Sequence, residues 1–284
     1  MNEPVLTPAP ARRFWLCADD YGISPGVDNA IRDLIARGRL NATSVMVVPP
    51  AFGVSEAATL ADLNSKSKRA AIGLHLTFTA PFRPLSDGYE PLDNGAFLSL
   101  GQTTRRSWMR QLRPEKIARE VAAQIAAFKK AFGRTPDFVD GHQHAHLFPQ
   151  IRESALRVVK EMAPGAWMRQ CGRAAPRNGW LDPKALFLDH LSRGFRRQAQ
   201  AVGVRTNPAF AGVYDLKPQS DFPRLFASFL TGLPDGGVVM CHPGFVDDEL
   251  KRVDPVLEAR EREYAFLAGD AFPALLKSRG FALA

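Results

Sequence analysis

Three of the six histidines in this 284-residue chain fall within the seven residues from Asp140 to His146, at the alternate positions 142, 144 and 146. The segment follows the apolar pair Phe138-Val139 and Asp140, so it reads as a strand end that opens into a loop. Alternate side chains of an extended chain point the same way, and we expect these imidazoles to share one face. Neutral imidazoles bind divalent metals well, but one strand rarely supplies three ligands to one ion. We therefore expect one or two of them to bind a metal and the others to support it or to contact substrate. The alternative is a polar loop whose imidazoles bond to backbone groups.

Further polar side chains follow apolar, strand-like runs elsewhere in the chain. They are Asp19, Asp20, His75, Arg169, His242, and, close behind the last, Asp247 and Asp248. Each alone has an ordinary explanation, such as a capping aspartate or a buried core histidine. In a parallel α/β fold, however, the carboxyl ends of the strands meet at one edge, where catalytic groups gather. The sequence therefore predicts that these residues form one site.

The fold prediction comes from apolar runs that alternate with helical patterns along the whole chain. Ser24-Pro25 is a typical helix start, and Gly38 a typical helix end. A strand is predicted over Val202–Thr206, and Asp254-Pro255 is predicted to open the last long helix. The pattern favours an α/β fold whose parallel strands close into an irregular TIM-like (β/α) barrel, with an open doubly wound sheet as the alternative.

The domain prediction is a flexible N-terminal segment over residues 1–12 and one barrel domain over residues 13–284. Residues 77–113 look irregular, and an insert of this length usually has a function, so we expect it to lie on the substrate side. Its Phe78, Phe82 and Phe97 either offer apolar faces to a sugar or pack the insert onto the barrel.

Composition narrows the classes of protein. A hydrophobic content of 45% is enough for a large core, and no apolar run reaches the length of a membrane span. The N-terminus lacks the apolar core of a secretory signal and the three cysteines are isolated, so we expect a cytoplasmic protein. The formal charge of +8 allows an anionic partner, but the arginine clusters Arg193–Arg197 and Arg105-Arg106 are short and match no nucleic-acid-binding motif. We expect no nucleic-acid partner and no transmembrane segment, while a homodimer is compatible with the sequence.

The chemistry that these residue types support is metal-assisted hydrolysis of an amide or ester. Two histidines and one carboxylate form a common ligand set for a divalent ion and leave positions open for water and substrate. Of two adjacent aspartates, one can bind the ion while the other accepts a proton from water. A histidine from another strand end can protonate the leaving group.

The same motifs, in this order, resemble those of the YdjC-like carbohydrate deacetylases, which include chito-oligosaccharide deacetylases and hopanoid-biosynthesis-associated members. The motifs are Ala18–Gly22, Ile72–His75, Asp140–His146 and Cys241–Gly244. The resemblance implies an irregular β/α barrel, one divalent metal ion, and removal of an acetyl group from an N-acetylated sugar or glycolipid headgroup. It matches Asp20, His75 and His142 to the metal ligands, Asp19 to the general base and His242 to the acid.

The remaining candidates are expected to support these groups or to contact substrate. They are Tyr21, Asp140, His144, His146, Arg169 and Asp247. Two residues depart from the family pattern: Tyr21 replaces a common phenylalanine, and Gln143 interrupts a frequent run of histidines. The ligand set leaves the metal open among Zn, Mg, Mn and Ni, with Mg or Zn favoured. Alternative functions are an amidohydrolase-type metal hydrolase and a non-catalytic carbohydrate- or anion-binding barrel.

Overall fold

The computed structural model describes residues 10–67, 70–174, 183–217 and 219–284. Within these ranges strands and helices alternate, as the sequence predicted. The strands are β1 Arg12–Tyr21, β2 Ala42–Val45, β3 Ala71–Leu76, β4 Phe138–Gly141, β5 Trp167–Met168, β6 Phe210–Ala211, β7 Gly237–Cys241 and β8 Phe281–Leu283. The helices are α1 Pro25–Ala36, α2 Val54–Ser67, α3 Leu100–Trp108, α4 Pro114–Phe132, α5 Ile151–Met162, α6 Pro183–Val202, α7 Phe222–Phe229, α8 Asp248–Val253, α9 Glu258–Ala268 and α10 Ala271–Arg279. A 3₁₀ turn, His142–Leu147, follows β4 directly.

The strands form one curled, all-parallel sheet in the order β5-β4-β3-β2-β1-β7-β6, and β8 pairs with the first half of β1. The two edges of the sheet approach each other. Met168 of β5 forms a parallel bridge with Thr206, and the Phe210 backbone N–H donates to the Gly172 carbonyl at 3.0 Å. Helices flank the sheet, and the predicted TIM-like α/β architecture is confirmed. The carboxyl ends of the strands meet at one end of this curl.

Local sequence signals explain where several helices begin and end. Ser24 caps α1 by accepting a hydrogen bond from the Val27 backbone N–H, and Pro25 occupies the first turn. Pro114 opens α4, and Gly133 ends it in the left-handed conformation, with φ 66°. These helices cover the sheet and leave the strand ends free for the site.

Two sequence-based assignments were wrong. No strand forms over Val202–Thr206, where Gly203 takes φ 71° and ends α6; apart from the bridge at Thr206, the chain becomes a strand only at Phe210. The stretch 77–113 is not wholly irregular, since it contains α3. The buried face of that helix is polar, formed by Thr103 and Ser107, and its start is fixed by a capping box between Ser99 and Gln102.

Smaller differences concern the chain ends. The last long helix begins at Glu258 and not at Asp254-Pro255, and a short helix, α8, precedes it. Residues 1–9 of the predicted flexible segment lie outside the described residues, and β1 begins at Arg12. In the part of the chain that the structure describes, no helix combines the length and apolar character needed to cross a bilayer.

Candidate active site

A bulge at the end of β1 directs the side chains of two adjacent aspartates towards the same cavity. The pairing of β1 with β2 shifts register between Ala18 and Tyr21, and Asp20 takes a left-handed φ of 70°. Gly22 follows with φ 95°, and a Cβ there would lie 2.6 Å from the Met46 carbonyl oxygen. In a regular strand Asp19 and Asp20 would face opposite sides, whereas here both line the same cavity of about 230 Å³.

Asp20, His75 and His142 come from three strand ends and form a cluster of three donor atoms. The Asp20 Oδ1 atom lies 3.0 Å from His142 Nδ1 and 3.3 Å from His75 Nε2. All three donor atoms lie within 4.8 Å of one another. On the other side of the His75 ring, Nδ1 lies 2.6 Å from Asp140 Oδ1 and 3.0 Å from Ser44 Oγ. A carboxylate on one ring nitrogen orients the imidazole and leaves the other nitrogen for a metal, so this donor set fits a divalent ion.

The charges around the cluster also suit a cation. Burial alone would lower the pKa of His75, but the Asp140 and Asp19 carboxylates outweigh burial and raise this pKa to about 10. The surrounding carboxylates therefore favour a positive charge at His75, which either a bound proton or a metal ion could provide. Burial would raise the pKa of Asp20, yet Arg260 and His142 hold it well below its usual range. The Arg260 Nη2 atom donates to Asp20 Oδ2 at 2.7 Å.

Arg169 holds Asp19 in place and keeps it ionised. Its two Nη atoms donate to the two Asp19 carboxylate oxygens at 2.7 and 2.6 Å, and its Nη1 lies 3.1 Å from Asp140 Oδ2. All three side chains are buried. Burial raises the pKa of Asp19, but the guanidinium of Arg169 outweighs it, and the net pKa lies below the usual range. Asp19 is therefore an oriented, ionised carboxylate beside the donor cluster.

His242 follows β7 and lines the same cavity. Its backbone N–H donates to Glu263 Oε2 at 2.5 Å, while its buried Nδ1 has no hydrogen-bond partner among the described residues. Burial lowers the pKa of His242 to about 4. Glu263 also accepts a hydrogen bond of 2.6 Å from the Tyr214 hydroxyl, and burial raises the pKa of Glu263 to about 7.

The three clustered histidines do not share one face, which corrects the extended arrangement expected from their spacing. Gln143 and His144 take φ of 52° and 58°, so the chain turns after His142. His144 Nδ1 lies 3.5 Å from the Cys171 sulfur, and burial lowers the pKa of this imidazole. His146 is buried against Phe195 of α6, and its Nε2 lies 2.8 Å from the Arg169 carbonyl oxygen; burial lowers the pKa of His146 to about 3. Only His142 joins the donor cluster, and His144 lines the cavity beside it.

The other predicted supporting residues make structural contacts. Asp247 accepts hydrogen bonds from the backbone N–H groups of Gly26 and Leu250, so it caps α8. Asp248 is exposed and pairs with Lys251 at 3.0 Å. The Tyr21 hydroxyl donates to the Glu56 carbonyl oxygen at 2.9 Å. In these positions the three side chains fix local structure around the site.

Sequence reasoning missed several residues of the site. They are Ser44, Tyr214, Asp254, Arg260 and Glu263. The sequence of α9 reads as a solvent-exposed charged helix, yet Arg260 and Glu263, one turn apart, are only 1% and 0% exposed. Their spacing places them on one helix face, but the sequence does not show that this face covers the end of the barrel.

Comparison with known proteins agrees with the motifs. The family described as YdjC-like protein matches residues 13–278. A carbohydrate deacetylase of Vibrio cholerae serotype O1 is 30% identical over 263 residues, which cover 91% of this chain and 89% of the relative. A chitooligosaccharide deacetylase of Serratia marcescens is 28% identical over 253 residues, covering 81% of this chain and 94% of the relative.

A solved structure shares the architecture. It is a candidate cellobiose-phosphate cleavage protein from Enterococcus faecalis, with a TM-score of 0.75 and 22% identity, and the match covers 96% of this chain and 97% of that one. At this identity the likeness supports the fold alone. Because the family match spans nearly the whole chain and a 30%-identical relative aligns over most of its length, this chain belongs to the YdjC-like protein family.

Proposed function

We propose that this protein is a metal-dependent carbohydrate deacetylase that removes the acetyl group from an N-acetylated sugar. The observation that carries the proposal is the cavity in which the Asp20–His75–His142 donor cluster adjoins Asp19, a carboxylate kept ionised by Arg169. The activities named for the two relatives point to the same reaction. A non-catalytic binding barrel would have no need of an oriented base beside a metal-type donor set.

Asp20, His75 and His142 are the residues that would hold the ion. Two imidazoles and one carboxylate suit zinc or another first-row transition metal better than magnesium, which prefers oxygen ligands. When bound, the ion would make water more acidic and polarise the acetyl carbonyl group. Asp140 and Ser44 orient the His75 ring, and Arg260 orients Asp20.

Asp19 and His242 divide the proton transfers in this proposal. Hydrolysis places the hydroxyl of water on the acetyl carbon and a proton on the departing nitrogen. Asp19 accepts the proton that water loses, because Arg169 keeps it ionised and fixed. His242 delivers a proton to the amine. With a pKa of about 4, its imidazole is neutral in the resting site at neutral pH. The proton that Asp19 takes from water must therefore pass to His242 before it reaches the amine, which leaves both side chains in their starting states.

The segment 77–113 is proposed to influence substrate choice. Leu100, at the start of α3, lines the cavity, and the Phe82 ring lies 5.9 Å from that of His142. All three phenylalanines of the segment are buried, and Phe78 and Phe97 pack against each other, with ring centres 6.0 Å apart. Because Phe82 contacts the ring of His142, it is the one of the three that we expect to affect the site, by fixing the position of that imidazole.

Acetate release from a panel of N-acetylated mono- and oligosaccharides tests the proposal. The protein is assayed as purified, after dialysis against a chelator, and after separate addition of Zn, Mn, Ni or Mg. We expect acetate from at least one sugar, loss of activity after chelation, and recovery with one or more of these ions. Full activity in metal-free protein would refute the metal dependence, and no acetate from any sugar under any condition would refute deacetylation.

A further inference from the structure

Exposed apolar side chains gather where α3 meets α6. Trp108 and Met109 at the end of α3 are 45% and 53% exposed, and Leu186 and Phe187 of α6 are 45% and 37% exposed. The Trp108 ring lies 6.2 Å from the Phe187 ring and stacks on His190 at 6.1 Å. We call these four apolar residues the α3–α6 face. Large apolar side chains exposed together, with polar groups at their border, indicate an interaction surface.

The two helices that carry this face are strongly cationic. Helices α3 and α6 together carry six arginine or lysine residues and one acidic residue, Asp189, whose carboxylate is paired with Arg173 at 2.7 Å. Along α6, Leu186, His190, Arg193 and Arg197 follow one another at intervals of four, three and four residues, which places them on one stripe. This stripe is apolar at its start and basic at its end. Arg193 and Arg197, with Arg196, line a surface groove.

The two helices that carry the face both begin at the active-site cavity. Leu100, the first residue of α3, and Lys184, the second residue of α6, both line that cavity. From there the two helices extend over the surface and meet again where Trp108 contacts Phe187. A partner bound to the α3–α6 face would therefore lie beside the cavity.

We propose that the α3–α6 face docks the protein on an anionic membrane surface. Aromatic rings, with an apolar body, suit the headgroup region of a bilayer, and arginines of the same two helices suit the lipid phosphates. A nucleic acid would match the arginines but would leave the apolar side chains of Leu186 and Met109 in water. A symmetric dimer through this face would bring the cationic helices of two copies together, at an electrostatic cost.

Docking of this kind bears on the substrate. A membrane beside the cavity would present an N-acetylated sugar attached to an amphiphile. Only this inference about the substrate rests on the proposed function. Membrane binding itself requires neither metal nor catalysis. The two proposals can therefore fail separately.

Sedimentation with lipid vesicles tests the docking. The full chain is mixed with vesicles of phosphatidylcholine alone or of phosphatidylcholine with phosphatidylglycerol, at low and high salt. We expect binding to the mixed vesicles that weakens with salt. The variant Trp108→Ser/Phe187→Ser should lose most of it, and Arg193→Gln/Arg197→Gln should lose roughly fivefold in affinity for each arginine removed. Matched surface changes elsewhere, Val54→Ser and Arg262→Gln/Arg279→Gln, should bind as the unmodified protein does.

Three results would overturn the docking proposal. The first is no binding to mixed vesicles at low salt, and the second is unchanged binding by Trp108→Ser/Phe187→Ser. The third is a dimer in analytical ultracentrifugation that the same variant converts to monomer, which would assign the face to a second copy of the chain. All variants should keep the thermal stability of the unmodified protein and its acetate release from a soluble N-acetylated sugar. If neither the unmodified protein nor any variant releases acetate, but vesicle binding follows the expected pattern, the proposed function is refuted and the docking proposal is supported.

Discussion

At the level of single residues, Asp19 and His242 share one cavity but differ in protonation state, which bears on the roles proposed for them. Arg169 keeps Asp19 ionised, whereas burial keeps the imidazole of His242 neutral, with a pKa of about 4. The two proposed roles can therefore be distinguished by comparing substrates with different leaving groups. Protonation matters for a departing amine and matters little for a departing phenolate, which is stable as an anion.

We therefore expect His242→Ala to lower kcat by roughly 10²–10⁴-fold on an N-acetylated sugar and by much less on an aryl acetate ester. Asp19→Asn should lower kcat on both substrates, because both need an activated water. The matched control is Asp189→Asn, which breaks an aspartate–arginine pair outside the cavity and should leave both activities unchanged. Equal losses by His242→Ala on the amide and the ester would contradict its role as the acid.

The donor cluster leads to a prediction about metal content. His75→Ala or His142→Ala removes one of three donor atoms that lie within 4.8 Å of one another, so each variant should retain much less metal than the unmodified protein. Elemental analysis after incubation with zinc and gel filtration measures this directly. The control His190→Ala removes an exposed imidazole and should keep full metal content. Full metal content in His142→Ala would remove that residue from the ligand set.

At the level of elements, the bulge at the end of β1 depends on Gly22. Gly22→Ala should destabilise the protein by about 3 kcal/mol, because φ 95° is strained for alanine and its Cβ would approach the Met46 carbonyl oxygen. Gly133→Ala is a suitable comparison. It also has a positive φ, of 66°, but open space around it, and should cost about 1 kcal/mol. Urea unfolding of both variants measures the difference; equal costs would mean that the close approach at Gly22 relaxes freely.

Helix α1 supports the same bulge through a buried carboxyl group. Asp28 accepts a hydrogen bond of 2.5 Å from the Gly22 backbone N–H, and its Oδ2 has no partner among the described residues. Burial raises the pKa of Asp28 to about 8, with Glu56 adding to the rise and Arg32 opposing it. The folded protein thus holds a proton that the unfolded chain, with a pKa near the ordinary 3.8, releases.

The stability that this proton provides is fully present below about pH 4 and is lost as pH rises towards 8. Asp28→Asn keeps an acceptor for Gly22 and removes the titration. Relative to the unmodified protein, the variant should gain unfolding free energy between pH 4 and 8, by at most about 1.4 kcal/mol per pH unit. Urea unfolding at several pH values measures this, with Asp62→Asn at an exposed ion pair as control. Parallel pH curves for Asp28→Asn and the unmodified protein would contradict the raised pKa.

At the scale of the whole molecule, parallel strands made much of the site predictable. Because their carboxyl ends meet at one edge, the positions of Asp19, Asp20, His75, His142 and His242 in the sequence were enough to bring them together. The directions of the side chains were not predictable. The left-handed turn at Gln143 and His144, which separates the histidines, conflicts with the extended pattern of the sequence. Local spacing also does not show which helix covers the end of the barrel. Arg260 and Glu263 were therefore not predicted as site residues, because the sequence of their helix is typical of a solvent-exposed one.

Arg169 joins three strands of the barrel through buried charges. It follows β5, holds Asp19 of β1 by two hydrogen bonds, and lies 3.1 Å from Asp140 of β4. Removing the guanidinium leaves Asp19 buried without its hydrogen-bonded cation and leaves Asp140 with His75 alone. We expect Arg169→Met to cost about 3–5 kcal/mol of unfolding free energy, the usual range for breaking a buried pair. The comparable change Arg173→Met breaks a partly exposed pair with Asp189 and should cost about 1 kcal/mol or less.

A compensating variant separates the effect of charge from that of lost packing. If uncompensated carboxylates cause the loss, Arg169→Met combined with Asp19→Asn and Asp140→Asn should recover a large part of the stability. Both carboxylates that faced the arginine are then neutral, and His75, without them, can stay neutral as well. If the arginine acts mainly by filling space, the triple variant should be no more stable than Arg169→Met alone. Urea unfolding of the single, double and triple variants decides between the two. Recovery would show that the electrostatic arrangement proposed to keep Asp19 ionised for catalysis also links three strands of the barrel.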